Sequence, residues 1–277
     1  MKARERFRAG KELKLADEAA GATPLGAGDD NKLSKAQVKA LDREDTLALT
    51  AKIGVCQAML YAEHRRKVLL VLQGMDTAGK DGTLQALFAN VNLMGVRAAA
   101  FKAPTEIELA HDYLWRVHAQ VPGRGEIAIF NRSHYEDVLV PRVHGLIDHK
   151  ECARRYAQIG DFERMLAETG TVIVKVFLHI SKEEQRERLQ ERLDDPDKQW
   201  KFDPNDLVQR KSWNEYQRAY EAAITATDFD HAPWYVVPAN SKTQRNLIVA
   251  TLMLETLQEM RLGFPPPDAK LSKLKVV

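Results

Sequence analysis

A pattern typical of phosphate-binding loops occupies residues 74–80, which we call the phosphate loop: Gly74 and Gly79 bracket four residues and Lys80 follows. Glycines let the backbone fold tightly around an anion, and the amide N–H groups of such a loop and of the next helix N-terminus can point at phosphate oxygens. Lys80 would add a mobile positive charge. The alternative is a glycine-rich turn with a solvated lysine. The predicted phosphate ligands in this segment are Gly74, Thr77, Ala78, Gly79, Lys80, Asp81, Gly82 and Thr83.

Two carboxylates make this loop unusual. Asp81 stands where such loops commonly carry the Ser or Thr that binds Mg²⁺, so metal ligation must differ here. Asp76 lies inside the loop, where a carboxylate would repel a bound phosphate. We therefore predict that Asp76 holds Mg²⁺ or positions the attacking phosphate. Its alternative role is to brace the turn through hydrogen bonds to its own backbone.

A second group of polar residues follows the apolar run at 126–130. Phosphate-loop proteins commonly place an acidic residue at this strand end to bind Mg²⁺, but here the position is Asn131, and an amide is a poorer magnesium ligand. Glu136 or Asp137, about one helical turn onward, could reach back instead. Arg132 can clamp a transferring phosphoryl group, or it pairs with Glu136 on the surface. These arguments assign catalytic roles to Asp76, Lys80, Asn131, Arg132 and Asp137, and metal ligation to Asp76, Glu136 and Asp137.

Basic residues are concentrated at 181–218, between the fourth and fifth apolar runs of the chain. The Asp-Asp-Pro-Asp sequence at 194–197 splits this segment into two predicted helices, a shape typical of a lid that closes over phosphates and excludes water. The alternative is a pair of solvated amphipathic helices whose acidic residues neutralise the arginines at i,i+4 spacing. The predicted phosphate ligands outside the loop are Lys102, which follows the second apolar run, and Arg192, Lys198 and Lys201, which flank the break.

Five short apolar runs predict buried strands, and segments of helical period separate them. The runs are 67–73, 97–101, 126–130, 171–180 and 234–238. This alternation indicates an α/β fold, a parallel sheet of about five strands with helices on both faces. Before the first strand, a capping-box pattern at Ser34 and Gln37 opens an apolar stripe of helical spacing that reaches His64, as one long helix or two.

The ends of the chain differ in composition from this core. Residues 1–33 are charged and then small and glycine-rich, which offers little to bury and predicts an arm that wraps around the core or stays mobile. We divide the chain into an N-terminal arm with helices at 1–65, a core at 66–262 that carries the lid at about 181–218, and a C-terminal tail at 263–277.

Composition excludes several classes of function. The chain of 277 residues has 41 Lys and Arg against 39 Asp and Glu, a formal charge of only +2, so no global positive field indicates nucleic-acid binding. Its two cysteines, Cys56 and Cys152, are far apart and lack metal-ligand spacing, which excludes a disulfide framework and a thiolate zinc site. We find no signal peptide and no apolar run long enough to span a membrane, so we expect a cytoplasmic protein without a membrane partner.

Taken together, five motifs resemble the polyphosphate kinase 2 family: GMDTAGKDGT, FKAPT, FNRSHYEDVLV, ISKEEQRERLQERLDDPDKQWKFDPNDL and APWYVVPANSKTQRNL. They fall in the family's order, and the resemblance runs from about Lys67 to Met260, which is most of the chain. The resemblance implies a P-loop kinase fold with a helical lid, and reversible phosphoryl transfer between inorganic polyphosphate and nucleotides with Mg²⁺, or Mn²⁺ in its place. By motif match it assigns Asp76 and Lys80 to the Walker A motif, Asn131 and Arg132 to Walker B, and Arg192 to a lid arginine.

The NRSHYEDVLVPRVHG stretch is similar to the subgroup that phosphorylates both nucleoside mono- and diphosphates, although Asn131 departs from the Asp of many members. The implied route runs from AMP to ADP to ATP, with guanine nucleotides as further substrates, in a homo-oligomer that is a dimer or tetramer. Two alternatives share the same loop. One is an ATP-dependent kinase of nucleosides or nucleotides, and the other is a nucleotide-binding module without catalysis.

Overall fold

The structure is a computed structural model that describes residues 1–26, 33–268, 270, 271 and 274. Parts of the predicted arm (27–32) and tail (269, 272–273 and 275–277) lie outside the described residues. The strands are β1 (Lys67–Gln73), β2 (Val96–Ala100), β3 (Ile127–Asn131), β4 (Thr171–His179) and β5 (Trp234–Pro238). The α-helices are α1 (Ala3–Arg6), α2 (Lys35–Glu63), α3 (Lys80–Leu87), α4 (Glu106–Leu109), α5 (Trp115–His118), α6 (Glu136–Val143), α7 (His149–Glu168), α8 (Lys182–Asp194), α9 (Pro204–Lys211), α10 (Trp213–Thr227) and α11 (Lys242–Glu259).

The five strands form one parallel sheet in the order β2-β3-β1-β4-β5. The central strand β1 pairs with β3 on one side and β4 on the other, and its residues from Val68 to Leu72 are buried. Helices α7 and α11 pack against β4. The predicted α/β fold is therefore confirmed, and each predicted strand lies within one residue of its observed bounds. Since all strands run the same way, the segments that follow them meet at one edge of the sheet.

Strand β2 corrects the prediction that all five runs are buried. Its residues Arg97, Ala98 and Ala100 are exposed. The strand lies at the edge of the sheet and pairs only with β3, so it has a neighbour on one side only. An apolar run in the sequence does not reveal which strand will be at the edge.

Helix α2 answers the choice between one helix and two, because it runs unbroken over the predicted stripe. Its capping box is present: the Gln37 N–H donates to the Ser34 hydroxyl at 3.3 Å, and the Ser34 N–H donates to the Gln37 side chain at 2.9 Å. The helix packs against α11. Between them the buried carboxylate of Asp42 accepts hydrogen bonds from Thr243 and Gln244, each at 2.7 Å, so the two helices are joined by polar contacts as well as apolar packing.

The described part of the N-terminal arm, residues 1–26, buries more than its composition predicts. It wraps along the outer edge of β5, where the Val236 N–H donates to the Phe7 carbonyl and the Ala9 N–H donates to the Trp234 carbonyl, both at 2.9 Å. The buried side chains of the arm are Ala3, Phe7, Ala9, Leu15 and Ala20. Small residues suffice here because the arm lies flat against the core, where even an alanine is covered.

The lid segment contains three α-helices rather than the predicted two. Helix α8 ends at Asp194, the first residue of the predicted break, and a 3₁₀ turn covers Gln199–Lys201. The helical continuation is interrupted at Ser212, between α9 and α10. Helix α10 packs against α6 and α7. The interruption lets α10 bury its apolar face in the core while α9 contributes to the cavity described below.

Candidate active site

A cavity of about 810 Å³ lies where the segments that follow β1, β2 and β3 come together. This is the edge of a parallel sheet at which α/β proteins bind ligands. The predicted site residues that line it are Asp76, Thr77, Gly79, Lys80, Asp81, Gly82, Lys102, Asn131, Arg132, Arg192, Lys198 and Lys201. The predicted site residues outside its lining are Gly74, Ala78, Thr83, Glu136 and Asp137.

The phosphate loop is curled by backbone in the left-handed region at Thr77 (φ 64°) and Gly79 (φ 96°). A Cβ atom on Gly79 would lie 1.8 Å from Nη1 of Arg245, so only glycine fits. The hydroxyl of Thr83, predicted as a phosphate ligand, donates to the Gly79 carbonyl at 3.0 Å instead. Within the described chain, the N–H groups of the first three residues of α3 have no acceptor, as is usual at a helix N-terminus that can bind an anion.

Lys80 is held more firmly than a mobile charge. Its side chain is buried, and Nζ donates to the carbonyls of Gly74 at 2.7 Å and Met75 at 3.3 Å. Burial lowers the pKa of Lys80, while the carboxylates of Asp76, Glu136 and Asp81 act in the opposite direction. The ammonium group therefore lies inside the curl of the loop, where a phosphate oxygen can replace a carbonyl as its acceptor.

Asp76 and Arg132 form an ion pair at the cavity, with Nη2 of Arg132 donating to Oδ1 of Asp76 at 2.6 Å. The partner of Arg132 is therefore Asp76, and not Glu136 as in the surface ion pair considered from the sequence. Arg132 adopts a left-handed backbone conformation (φ 61°), which is uncommon for a residue with a side chain and marks a constrained position. Since the Arg132 side chain remains 42% exposed, its guanidinium group is accessible to a phosphoryl group.

Asn131 and Asp81, the two departures from the usual motif, are hydrogen-bonded to each other. Nδ2 of Asn131 donates to Oδ1 of Asp81 at 2.7 Å. The sheet register places Asn131 beside Leu72 near the end of β1, which brings it next to the helix that Asp81 begins. An amide donor suits a carboxylate partner at this distance, whereas a carboxylate in its place would be repelled.

Glu136 is the first residue of α6. Burial raises the pKa of Glu136, and Asp76 acts in the same direction, whereas Arg132 and Lys80 lower it. Asp76 and Glu136 therefore interact with the same two cations. Within the described ranges no three His, Cys, Asp or Glu side chains are grouped to hold a metal ion. Mg²⁺ in phosphoryl-transfer sites is bound by one or two carboxylates together with phosphates, and this pair fits that requirement.

Asp137, the other predicted metal ligand, faces away from these groups. Its carboxylate accepts from Nη2 of the buried Arg116 at 3.4 Å, and its backbone carbonyl accepts from Arg155 at 2.8 Å. Nη1 of Arg116 also donates to the Lys102 carbonyl at 2.8 Å. The structure thus places Asp137 in a cluster that fixes the segment carrying Lys102, while its predicted catalytic and metal roles stay predictions.

The lid contributes both basic and acidic side chains to the cavity. Nη1 of Arg192 donates to the Lys201 carbonyl at 3.1 Å and lies 3.5 Å from Oδ2 of Asp206, a residue that the sequence analysis did not identify. Burial raises the pKa of Asp206 to about 6, and repulsion from Asp76 adds to this. Lys198 pairs with Asp195 at 2.6 Å. Because only Arg192 among the three predicted lid cations is partly buried, it is the one most firmly oriented.

Three further residues at the phosphate loop were missed by sequence reasoning. Gln185 and Arg188 of α8 and Arg245 of α11 are buried and donate to carbonyls of the loop. Arg188 carries an i,i+4 ion pair to Glu184, which in the sequence is typical of a solvated helix face. Arg245 comes shortly after β5, so the rule that segments after parallel strands converge at one edge was the signal that could have found it.

A fully buried polar cluster lies beneath the turn that carries Arg132 and Glu136. Nζ of Lys175 on β4 contacts the Glu163 carboxylate at 2.5 Å and the Tyr135 hydroxyl at 2.8 Å. Tyr135 donates to Glu163 at 2.9 Å, and the His134 ring lies 3.1 Å from the same carboxylate. Burial alone would raise the pKa of Glu163, but Lys175 and His134 hold it below its ordinary value. The cluster thus anchors the two residues that precede Glu136.

Comparisons with known proteins agree with this geometry. The family model described as Polyphosphate kinase 2 (PPK2) matches residues 36–264. The chain is 54% identical over 233 residues to the AMP/ADP-polyphosphate phosphotransferase of Meiothermus ruber, covering 84% of this chain and 87% of that protein. It is 42% identical over 221 residues to the ADP-polyphosphate phosphotransferase of Rhodopseudomonas palustris, covering 76% of each.

A solved structure extends the likeness to the whole fold. The crystal structure of polyphosphate kinase 2 from Arthrobacter aurescens superposes with a TM-score of 0.89 at 41% identity, and the alignment covers 99% of this chain and 95% of that chain. The shared fold includes the strands and helices that surround the cavity. With the family match spanning both the phosphate loop and the lid, this chain belongs to the polyphosphate kinase 2 family.

Proposed function

We propose that the protein transfers phosphoryl groups reversibly between inorganic polyphosphate and adenine nucleotides, converting AMP to ADP and ADP to ATP. The observation that carries this proposal is the charge of the cavity: nine basic and five acidic side chains line it, although the whole chain has a formal charge of only +2. A polyphosphate chain is a flexible polyanion, and a local excess of Lys and Arg binds such a chain without reading any sequence.

The chemistry needs little covalent participation by the protein. One P–O bond of the polyphosphate breaks and one P–O bond to the nucleotide's terminal phosphate oxygen forms, so the reaction can run in either direction. The free N–H groups at the start of α3 hold phosphate oxygens, and Lys80 and Arg132 neutralise charge on the migrating group. The lid side chains Arg192, Lys198 and Lys201 would exclude water and align the donor.

We further propose that Mg²⁺ assists the transfer, with Mn²⁺ as a substitute. Asp76 and Glu136 are the side chains that would hold it, because both face the same two cations and Asp76 lines the cavity. When bound, the metal would supply positive charge that neutralises the phosphates. Arg132 would then exchange its contact with Asp76 for one with the phosphoryl group. Its partial exposure supports such an exchange.

The decisive experiment supplies polyphosphate as the sole phosphoryl donor. Purified protein is incubated with Mg²⁺ and either AMP or ADP, and nucleotides are separated chromatographically over time. We expect ADP and then ATP from AMP, and ATP from ADP, with guanine nucleotides tested in parallel arms. An arm with ATP and a nucleoside, without polyphosphate, tests the ordinary kinase. If polyphosphate never serves as donor to the folded protein, the proposal is wrong, and bound but unaltered nucleotide would indicate a non-catalytic module.

Assembly and location complete the proposal. Leu47 and Val55 on α2 are more than half exposed, which supports a homo-oligomeric contact in a dimer or tetramer. Light scattering after size-exclusion chromatography would measure the mass. Across the described residues, none of the helices combines the length and apolar character needed to cross a membrane. The cytoplasmic location stays a prediction, which the unpaired thiols of Cys56 and Cys152 support.

A further inference from the structure

The five carbonyl groups of the phosphate loop from Gly74 to Ala78 all accept hydrogen bonds from side chains. Lys80 donates to the first two, those of Gly74 and Met75. The next three belong to Asp76, Thr77 and Ala78, and they accept from Gln185 Nε2 at 3.2 Å, Arg188 Nη1 at 2.9 Å and Arg245 Nη1 at 3.3 Å, respectively. In a trans peptide the carbonyl and the following N–H point in opposite directions. The side chains that donate to these carbonyls therefore control which way the N–H groups of the loop point.

Gln185 and Arg188 lie about one turn apart on α8, under the loop, and both are buried. Arg188 also donates to the carbonyls of Ala239 at 2.7 Å and Asn240 at 2.9 Å, just after β5. One guanidinium group thus joins three separate segments: the phosphate loop, the first helix of the lid and the end of a strand. Such a group fixes geometry, since each of its donors has a set direction.

Arg245 differs from Arg188 in its charge balance. It is 3% exposed, and among the described residues it makes no ion pair with a carboxylate; its other acceptor is the Asn246 side chain. Burial and the neighbouring Arg188 lower its pKa to about 10, which still leaves the group charged at neutral pH. A buried charge without a counter-charge is unfavourable, and a bound anion relieves that cost. Arg245 lines the cavity, so the anion can reach it.

We propose that Gln185, Arg188 and Arg245 are positioning residues that fix the direction of the Asp76, Thr77 and Ala78 carbonyls of the phosphate loop, and that Arg245 also provides a buried positive charge whose counter-charge is the bound phosphate. This inference rests on the proposed function, because the ligand it invokes is a phosphate chain. It adds to that function two helices, α8 and α11, which lie outside the loop motif and support the loop.

The test measures binding of inorganic tripolyphosphate to the full chain by calorimetry, and steady-state kinetics with polyphosphate and AMP. We expect Arg245→Met to raise the tripolyphosphate Kd about tenfold or more, because a charge-assisted contact is lost. Arg245→Lys should recover part of the affinity. The matched control is Arg186→Met on α8, whose exposed side chain forms an ion pair with Glu183. This control should bind like the wild type.

The kinetic readout separates positioning from a general loss of structure. We expect Arg245→Met to raise the KM for polyphosphate while the KM for AMP stays within about twofold, since uniform binding of one ligand is removed. The rise in melting temperature on adding tripolyphosphate should also shrink. Equal increases in both KM values, or a wild-type Kd, would overturn the proposal.

A second variant keeps the inference falsifiable if Arg245→Met does not fold. Gln185→Met removes one carbonyl donor at nearly constant volume and should raise the tripolyphosphate Kd about threefold, in the range of one neutral hydrogen bond. A wild-type Kd for this variant would contradict the role of the carbonyl contacts. If the wild type neither binds tripolyphosphate nor transfers phosphate, the proposed function fails. If the wild type does both and the variants bind as it does, only the present inference fails.

Discussion

At the level of single residues, the pair formed by Asn131 and Asp81 explains how the site functions without the usual motif. The amide at the end of β3 donates to the carboxylate at the start of α3. Each residue alone would be a poor substitution, since Asp81 lacks a hydroxyl and Asn131 lacks a charge. Together they form a hydrogen bond from a neutral amide to a charged carboxylate. Hydrogen bonds of this kind are strong, so this one fixes the start of α3 relative to β3. The two departures are therefore best understood as one change.

We predict that Asn131→Asp lowers kcat/KM because it places two carboxylates at hydrogen-bond distance. The loss should be about tenfold to a hundredfold, and raised Mg²⁺ should offset part of it. Adding Asp81→Ser should restore activity beyond the sum of the single effects, which a double-mutant cycle measures. If the two substitutions act additively, Asn131 and Asp81 are not coupled as the structure indicates.

Asp206 gives a prediction for the dependence of stability on pH. Burial raises its pKa to about 6, above its value of about 3.9 in an unfolded chain. Between these values the folded protein binds the proton more tightly, so the free energy of unfolding falls as pH rises. The melting temperature of Asp206→Asn minus that of the wild type should increase from about pH 4 to pH 6 and then level off. Asp197→Asn, an exposed change in the same segment, should show no such trend.

At the level of elements, the turn between β3 and α6 depends on the polar cluster below it. Tyr135 contacts Lys175 and Glu163, and it precedes Glu136 directly in the chain. The hydroxyl of Thr227, at the end of α10, lies 3.0 Å from the Tyr135 hydroxyl and donates to the Ala223 carbonyl at 2.6 Å. Three elements thus hold a turn whose Arg132 has unfavourable backbone angles.

We predict that Lys175→Met destabilises the fold by about 3–5 kcal/mol, because it leaves the Glu163 carboxylate buried without its cation. Adding Glu163→Gln should recover most of the loss, since the amide still offers an acceptor to Tyr135. Urea unfolding of both variants measures these free energies. A double variant that is no more stable than Lys175→Met would show that the ion pair itself, rather than the unpaired charge, determines stability.

The sequence predicted where strands and helices lie along the chain better than it predicted which of their residues are buried. The strand ends and the start of α2 followed from periodicity and a capping box, both of which are local signals, but the same pattern left open whether the stripe forms one helix or two. The exposure of β2 and the burial of Arg188 were not predictable, because each depends on which neighbours the tertiary fold supplies. At the site, the loop motif located Lys80 and Asp76, whereas Gln185 and Arg245 reach the same loop from distant parts of the chain, and nothing in those segments assigned them a contact with it.

At the level of the whole molecule, charge is distributed unevenly. The formal charge is +2 overall, yet basic side chains outnumber acidic ones at the cavity. Acidic residues elsewhere must balance this local excess. A long-range field is therefore weak, and attraction for a polyanion acts mainly within about one Debye length, about 8–10 Å at ordinary salt.

We predict that the KM for polyphosphate rises on the order of tenfold or more between about 50 and 200 mM salt, and that the KM for AMP rises much less. Replacing both Lys198 and Lys201 by Gln should reduce the slope of log KM against log salt, because fewer phosphates are neutralised. The matched control is Lys52→Gln, an exposed residue of α2. A polyphosphate KM that is insensitive to salt would contradict binding through the cavity's charge.

The contact between the N-terminal arm and β5 has a practical consequence for anyone who makes the protein. Deleting the first ten residues would remove the hydrogen-bond partners of Trp234 and Val236. The unpaired edge of β5 could then pair with a strand of another molecule, which promotes aggregation. Purification handles therefore belong at the other terminus, where residues 263–268 are exposed to solvent.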